Sequence, residues 1–389
     1  MKKLKLFALL FFCSGIVYYV IDQNIPQVVT HSLVSQYRNL VSNAPLSKKE
    51  LDLRYSSEKF YRSTLLRSRF NGGIIVARNG KIVFEAYNGN ERIKYGIPID
   101  SATSFHLASV SKTITGMAML KLLQEKKRSV DEQVQSFIPE FPFTGISVRN
   151  LLSHRSGLPN YVYFVEKFGW DTHRFITNAD ILTMMIQYKT QLDVGRPNAY
   201  FDYCNTNYVI LALIIERLSG VSYKNYLKTA FFEPLGMNQT FVFSMDQSDQ
   251  VLPSYKNNNR LETFMFLDAV YGDKNIYSSL RDMVRWDMAL YDTVQFPLSM
   301  QEEAFKGYSY ERKGVKNYGL GWRLYELPTG KKIVYHNGWW HGNNTVFSRL
   351  PQDSTVIIVL GNRFNRSIYQ AKRIAGIFDG YGIDLQEDD

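Results

Sequence analysis

Cysteine is almost absent: the 389-residue chain has two, Cys13 and Cys204. Cys13 lies in an apolar N-terminal run, so Cys204 has no partner in the folded body. A disulfide framework and a cysteine-based zinc site are both excluded. Proline (12) and glycine (25) are ordinary in number and 45% of residues are hydrophobic, which excludes collagenous and wholly disordered classes. Concentrated positive charge is lacking as well. The net charge is +10, from 46 Lys+Arg against 36 Asp+Glu, yet no basic block in the body exceeds Lys126-Lys127-Arg128. Nucleic acid is therefore not expected as a partner. A diffuse excess of this kind fits weak attraction to anionic membrane or wall polymers. The length allows two or three domains and a core that needs no staple.

Several catalytic signatures are missing too. There is no G-x-S-x-G, which excludes the nucleophile elbow of α/β-hydrolases, and no H-E-x-x-H, C-x-x-C or P-loop. The six histidines (31, 106, 154, 173, 336 and 341) show no metal-ligand spacing. Neither a metal nor a cofactor is expected.

What is present begins with an address. Lys2, Lys3 and Lys5 precede an uncharged run from Leu6 to Ile21. A basic head before an apolar stretch predicts an export signal or a signal anchor over 1–21, and no A-x-A site follows, which favours an uncleaved anchor. The body would then lie outside the cytoplasm, tethered to the membrane, or be secreted if the segment is cleaved. Residues 22–46 read as a polar stalk. Ser47-Lys-Lys-Glu50 is a capping box that opens a helix to about Arg69. The β-branched runs around Asn79-Gly80 predict a hairpin. Tyr318–Leu324, Lys332–His336, Thr345–Leu350 and Ser354–Leu360 read as strands, whereas the middle of the chain has helical periods. The expected fold is α/β (α+β): an antiparallel sheet built from both termini and flanked by helices (47–125 plus 271–389), holding an all-helical insertion over 126–270.

One chemical pattern stands out, Phe105-His-Leu-Ala-Ser109-Val-Ser-Lys112, leading into a helix at 113–126. Ser109 and Lys112 are three apart and share a face of a helical first turn. A serine hydroxyl becomes nucleophilic when a base takes its proton, and a lysine amine does so where burial and nearby cations favour its neutral form. The motif alone is weak, because Ser56–Lys59 matches it and an N-cap serine would also explain Ser109. Two further elements follow in order. Asp202-Tyr203-Cys204-Asn205 gives Y-x-N before a helix, and Tyr335-His336-Asn337-Gly338 gives H-x-G on a strand. The three together are far more specific than any one.

In these motifs the chain resembles the serine β-lactamase and penicillin-binding-protein superfamily, in particular its class C branch. That branch also holds D-alanyl-D-alanine carboxypeptidases, D-aminopeptidases and esterases. The resemblance runs from about Leu51 to Gly380 and includes Leu151-Leu-Ser-His154-Arg-Ser156-Gly-Leu-Pro159, Gly272–Trp286 and Tyr318–Trp322. It implies that Ser109 is the acylated nucleophile, Lys112 its hydrogen-bonded partner and Tyr203 a proton shuttle. It also implies that Asn205 orients the substrate amide and that the N–H groups of Ser109 and Trp339 form the oxyanion hole. His336 and Gly338 would contact substrate, and His154 and Ser156 would shape a loop. The antibiotic-hydrolysing members usually carry K-T-G where this chain has His336-Asn337-Gly338. A neutral histidine binds a substrate carboxylate less well than a lysine, so efficient β-lactam hydrolysis is not expected. Trp339 and Trp340 predict a narrow or aromatic-walled acyl site. The function so implied is hydrolysis of an amide or ester, with a D-amino-acid peptide of the cell wall as one candidate substrate. The alternatives are a penicillin-binding or wall-binding module with little turnover, and a weak β-lactamase.

Overall fold

The computed structural model describes residues 45–382. The N-terminal signal or anchor and all but the end of the stalk lie outside the described residues. Among the described residues no helix is long and apolar enough to cross a membrane.

The first helix, α1 (Lys48–Phe60), starts at the capping box: Ser47 Oγ accepts from the Glu50 N–H, and the Ser47 N–H donates to Glu50 Oε2 at 2.7 Å. Helical turns continue to Ser68 and stop at Arg69, whose φ is +58°. Strands β1 (Gly72–Arg78) and β2 (Lys81–Asn88) are joined at Asn79-Gly80, with φ of +50° and +73°. Positive φ at both central residues is what a tight hairpin turn requires.

The C-terminal part supplies β6 (Lys316–Tyr318), β7 (Arg323–Glu326), β8 (Lys332–Trp340), β9 (Asn343–Leu350) and β10 (Thr355–Gly361). They join the N-terminal hairpin in one antiparallel sheet ordered β2-β1-β10-β9-β8-β7-β6, with Gly72 opposite Gly361 and Arg78 opposite Thr355. The stretch expected as one strand over 318–324 is two strands. Gly319–Trp322 turns between them, and Gly321 takes φ +93°. A Cβ on Gly321 would lie 3.1 Å from the Lys112 carbonyl oxygen, so this turn packs directly on the helix that carries Lys112.

Both faces of the sheet are covered, and strand periodicity sorts the residues between them. Ile74, Val76, Ile357 and Val359 face α1 and the C-terminal 3-10 segment Arg366–Ile377. Ile75, Ala77, Val356, Ile358 and Leu360 face the larger core. That core is built on α2 (Ser111–Glu125), which is buried on nearly every side. Around it lie α3 (Val148–Leu152), α4 (Tyr161–Lys167), α5 (Asn178–Gln187), α6 (Thr206–Ser219), α7 (Tyr223–Leu227), α8 (Leu280–Ala289) and α9 (Leu298–Ala304). The middle of the chain carries the helices α3–α7 but is not all-helical: coil and turns run over 188–205 and 248–265, and it holds the short strand β4 (Phe241–Val242). That strand joins β3 (Phe105–His106) and β5 (Ile276–Ser278) in a small antiparallel sheet of order β3-β5-β4.

Candidate active site

Ser109 sits in the single 3-10 turn Ala108–Val110 between β3 and α2. The turn is pinned on both sides. Leu107 donates its N–H to Ile276 O at 2.8 Å, and Thr345 Oγ1 on β9 donates to Leu107 O at 2.8 Å. Ala108 takes φ +49°, a conformation that costs an L-residue about 1 kcal/mol or more. Its N–H donates to His106 Nδ1 at 3.0 Å. Burial pushes His106 down to about 4, so the ring is neutral, and its other nitrogen, Nε2, carries the proton donated to Asn275 Oδ1 at 2.8 Å.

Lys112, one turn further on, is fully buried. Its Nζ donates to Ser109 Oγ at 3.1 Å and to Asp273 O at 2.8 Å. It also lies 5.2 Å from the Tyr203 ring centre and 5.6 Å from that of Tyr208. Ser109 is therefore not an N-cap: its hydroxyl faces the lysine, and the first residue before α2 makes no side-chain cap.

Tyr203 and Asn205 come from the loop that enters α6. His154, with φ +56°, holds that loop: its carbonyl accepts from the Asp202 N–H at 2.9 Å and its Nδ1 from the Cys204 N–H at 3.1 Å. The His154 ring lies 4.3 Å from that of Tyr203. Ser156 Oγ donates to Asn207 Oδ1 at 2.6 Å and accepts from the Leu158 N–H at 3.1 Å, tying the neighbouring turn to α6. Cys204 is buried, and burial pushes its thiol up to about 11.

Strand β8 closes the other side. A Cβ on Gly338 would meet Thr345 Oγ1 at 2.2 Å and Leu107 O at 2.6 Å, so a glycine is required for the strand to lie against the turn that carries Ser109. The cleft so formed has a volume of about 920 Å³ and is lined by Ser109, Tyr203, Asn205, Asn337, Gly338 and Trp339, among others. It is roomy rather than narrow. Trp339 is 64% exposed and stands at the wall instead of filling the floor, with its Nε1 donating to His341 O at 2.9 Å.

His336 does not reach this cleft. Its side chain is fully buried, with Nε2 3.2 Å from Tyr318 Oη and Nδ1 2.7 Å from Asn337 O. Burial, reinforced by the positive charges of Arg323 and Lys112, holds it well below the usual histidine range. The ring expected to meet a substrate is thus a neutral prop behind the strand. Arg366 and Arg323 both line the cleft; Arg323 lies on β7, paired beside Tyr335, with its guanidinium 5.2 Å from the Tyr203 ring centre.

A second set of residues missed in the sequence lies behind Lys112. Lys274 is buried, its Nζ 2.5 Å from Tyr161 Oη, 3.6 Å from Asp273 Oδ1 and 4.7 Å from the Trp340 ring centre. Tyr161 Oη donates to Asp273 Oδ2 at 3.0 Å. Asp273 thus offers its carbonyl to Lys112 and its carboxylate to Lys274. Among the described residues no cluster of three or more His, Cys, Asp or Glu side chains could hold a metal ion.

A Ser-x-x-Lys turn at the head of a buried helix, set against one strand of an antiparallel sheet, places the chain among known proteins. It belongs to the Beta-lactamase family, whose model matches residues 65–379. The chain is 31% identical over 322 residues to penicillin-binding protein 4* of Bacillus subtilis (strain 168), covering 78% of this chain and 70% of that protein. It is 27% identical over 351 residues to a teichoic acid D-alanine hydrolase of Staphylococcus aureus, covering 88% and 80%. Its fold is similar to the crystal structure of a penicillin-binding protein from Bacillus halodurans, with a TM-score of 0.72 at 20% identity over 83% of this chain and 99% of that one.

Proposed function

We propose that the protein is a serine hydrolase that forms an acyl-enzyme on Ser109 and releases a D-amino-acyl group from an amide or ester. The observation that carries this reading is the 3.1 Å contact of Lys112 Nζ with Ser109 Oγ at the foot of an open cleft. The relative named for D-alanine hydrolysis supports the acyl group.

In this reading Ser109 Oγ attacks the carbonyl carbon as its proton passes to the Lys112–Tyr203 pair. The developing oxyanion is met by the N–H groups of Ser109 and Trp339, and the same pair returns the proton to the leaving amine or alcohol. Water then attacks the acyl-enzyme and restores Ser109, so one hard transfer becomes two easier ones. Asn205 orients the substrate carbonyl or amide. Arg323 supplies the positive charge that an asparagine and a buried, neutral histidine on β8 cannot. The cleft takes Ser109 and Trp339 from one part of the chain (47–125 with 271–389) and Tyr203 and Asn205 from the other (126–270). The basic head and uncharged run at the N-terminus support an extracytoplasmic, membrane-tethered location.

The test is Ser109→Ala. It should lower kcat on D-amino-acid amides or p-nitrophenyl esters at least about a thousandfold and abolish labelling by a fluorophosphonate. Full hydrolytic activity of that variant on every wild-type substrate would overturn the proposal. The 31% identity to a penicillin-binding protein favours a second reading, in which Ser109 is acylated by penicillin with little turnover. A lasting labelled-penicillin adduct on wild type, without release of product from any ester or amide, would select it.

A further inference from the structure

The peptide unit that joins Leu107 to Ala108 is held at both ends. Thr345 Oγ1 donates to its carbonyl, Leu107 O, at 2.8 Å, and its N–H, on Ala108, donates to His106 Nδ1 at 3.0 Å. A peptide unit is planar, so gripping both groups fixes its orientation. The next unit carries the Ser109 N–H, and the angle between the two is set at Ala108. There φ is +49°, a value that an alanine leaves for negative φ unless its surroundings hold it.

For His106 Nδ1 to accept, the ring proton must sit on Nε2, and Asn275 enforces this. Both hydrogens of its amide are used: Nδ2 donates to Asp268 O at 2.5 Å and to Val270 O at 2.8 Å. Its Oδ1 can then only accept, and it stands 2.8 Å from His106 Nε2. Both side chains are buried, so water does not compete for these bonds. Residues 272–276 run alongside the Ser109 turn as a template. Ile276 accepts from the Leu107 N–H at 2.8 Å and donates to Ser111 Oγ at 3.2 Å, and Asp273 O takes Lys112. The other groups that face His106 are the Tyr277 ring on β5, edge-on at 5.0 Å, and the charges of Asp268, Lys274 and His341.

We propose that His106 and Asn275 are positioning residues: Asn275 fixes the tautomer of His106, and His106 holds Ala108 in the left-handed conformation that aims the Ser109 N–H at the developing oxyanion. The catalytic part of this role rests on the acyl-transfer reading above; the tautomer does not. Neither side chain lines the cleft that holds Ser109. Burial keeps the ring neutral at pH 7. A second proton would sit on Nδ1 and face the Ala108 N–H donor to donor.

Two replacements of His106 separate this role from packing. Asparagine is smaller than the space but puts an oxygen close to where Nδ1 stands; leucine fills the space and accepts nothing. His106→Asn should keep kcat on p-nitrophenyl acetate within about fivefold of wild type. His106→Leu should lose about a hundredfold, with KM changed less than about twofold. A packing role predicts the reverse order. Adding Ala108→Gly to His106→Leu should recover about tenfold of the loss, because glycine takes positive φ without help. In the wild-type chain at pH 7, nitrogen-15 NMR should find His106 as the Nε2–H tautomer, its signals identified by their loss in His106→Asn. Asn275→Gly, which leaves the backbone free to keep its φ of +70°, should mix the tautomers and lower kcat about tenfold. An Nδ1–H tautomer in wild type, wild-type kcat in His106→Leu or Asn275→Gly, or a larger loss in His106→Asn than in His106→Leu would each overturn the proposal. Should a His106 variant fail to fold, the wild-type tautomer and the Asn275→Gly kinetics decide. Full activity of Ser109→Ala would sink the acyl-enzyme alone, since the tautomer is read from the spectrum whatever the reaction.

Discussion

Lys274 stands out at the level of single residues, because an ammonium buried this deeply must be matched by its surroundings. Asp273, Tyr161 and the face of Trp340 do so. Replacing it by methionine leaves the Asp273 carboxylate buried without its cation, and breaking such a pair costs on the order of 3–5 kcal/mol. Because Asp273 O also anchors Lys112, Lys274→Met should lower both the unfolding midpoint in urea and kcat on a p-nitrophenyl ester. Lys274→Arg should restore part of each. A second expectation concerns Cys204. With its thiol raised to about 11 by burial, it should resist iodoacetamide at pH 8 in the native protein and react once unfolded, as read by peptide mass mapping. Ser109, Lys112, Tyr203 and Asn205 were legible in the sequence because each sits at the start of a helix or the loop before one, where local spacing decides position. Arg323 and Lys274 were not. They approach the site through strand pairing and core packing, which no local pattern encodes.

Among the elements, β8 decides the shape of the site. Its glycine lets the strand touch the turn that carries Ser109, and Tyr369 Oη holds the Gly338 carbonyl at 2.9 Å. Gly338→Ala would put a methyl group against Thr345 and Leu107. The strand should be displaced by a fraction of an ångström, and kcat should fall about a hundredfold or more, since misplacement of this size disrupts positioned groups. Circular dichroism should show the fold retained, and steady-state kinetics would measure the loss. The hairpin at Asn79-Gly80, the capping box at Ser47 and the strands β8, β9 and β10 could be read from turn residues and alternation, whereas the split of 318–324 between β6 and β7 could not. The face to which His336 points could not. Alternation says that His336 and Asn337 lie on opposite sides of β8, and only the packing of Tyr318 and Arg323 shows that the histidine side is closed.

The whole molecule should be sensitive to mild acid. Burial holds His106, His154 and His336 below the ordinary value near ~6.5, His106 at about 4. Between those limits the unfolded chain binds protons that the folded chain refuses, so stability rises with pH across the window. It is fully present above about 6.5 and is lost as pH falls towards about 4, with His106 alone contributing on the order of 3 kcal/mol. The thermal midpoint should therefore drop between pH 7 and pH 4.5. His106→Gln should make that slope shallower.

The pairing of Gly72 with Gly361 also has a consequence in time. As the chain leaves the ribosome, the Gly72–Arg78 strand is made early and its lasting neighbour almost last. Until then the first hairpin presents Ile74-Ile75-Val76-Ala77 along an open edge, the kind that sticks to other chains. Sheet closure must wait for nearly the whole chain, and a topology dominated by such distant partners folds slowly. A chain that stays open this long is well suited to crossing a membrane before it folds, and in need of protection if it does not.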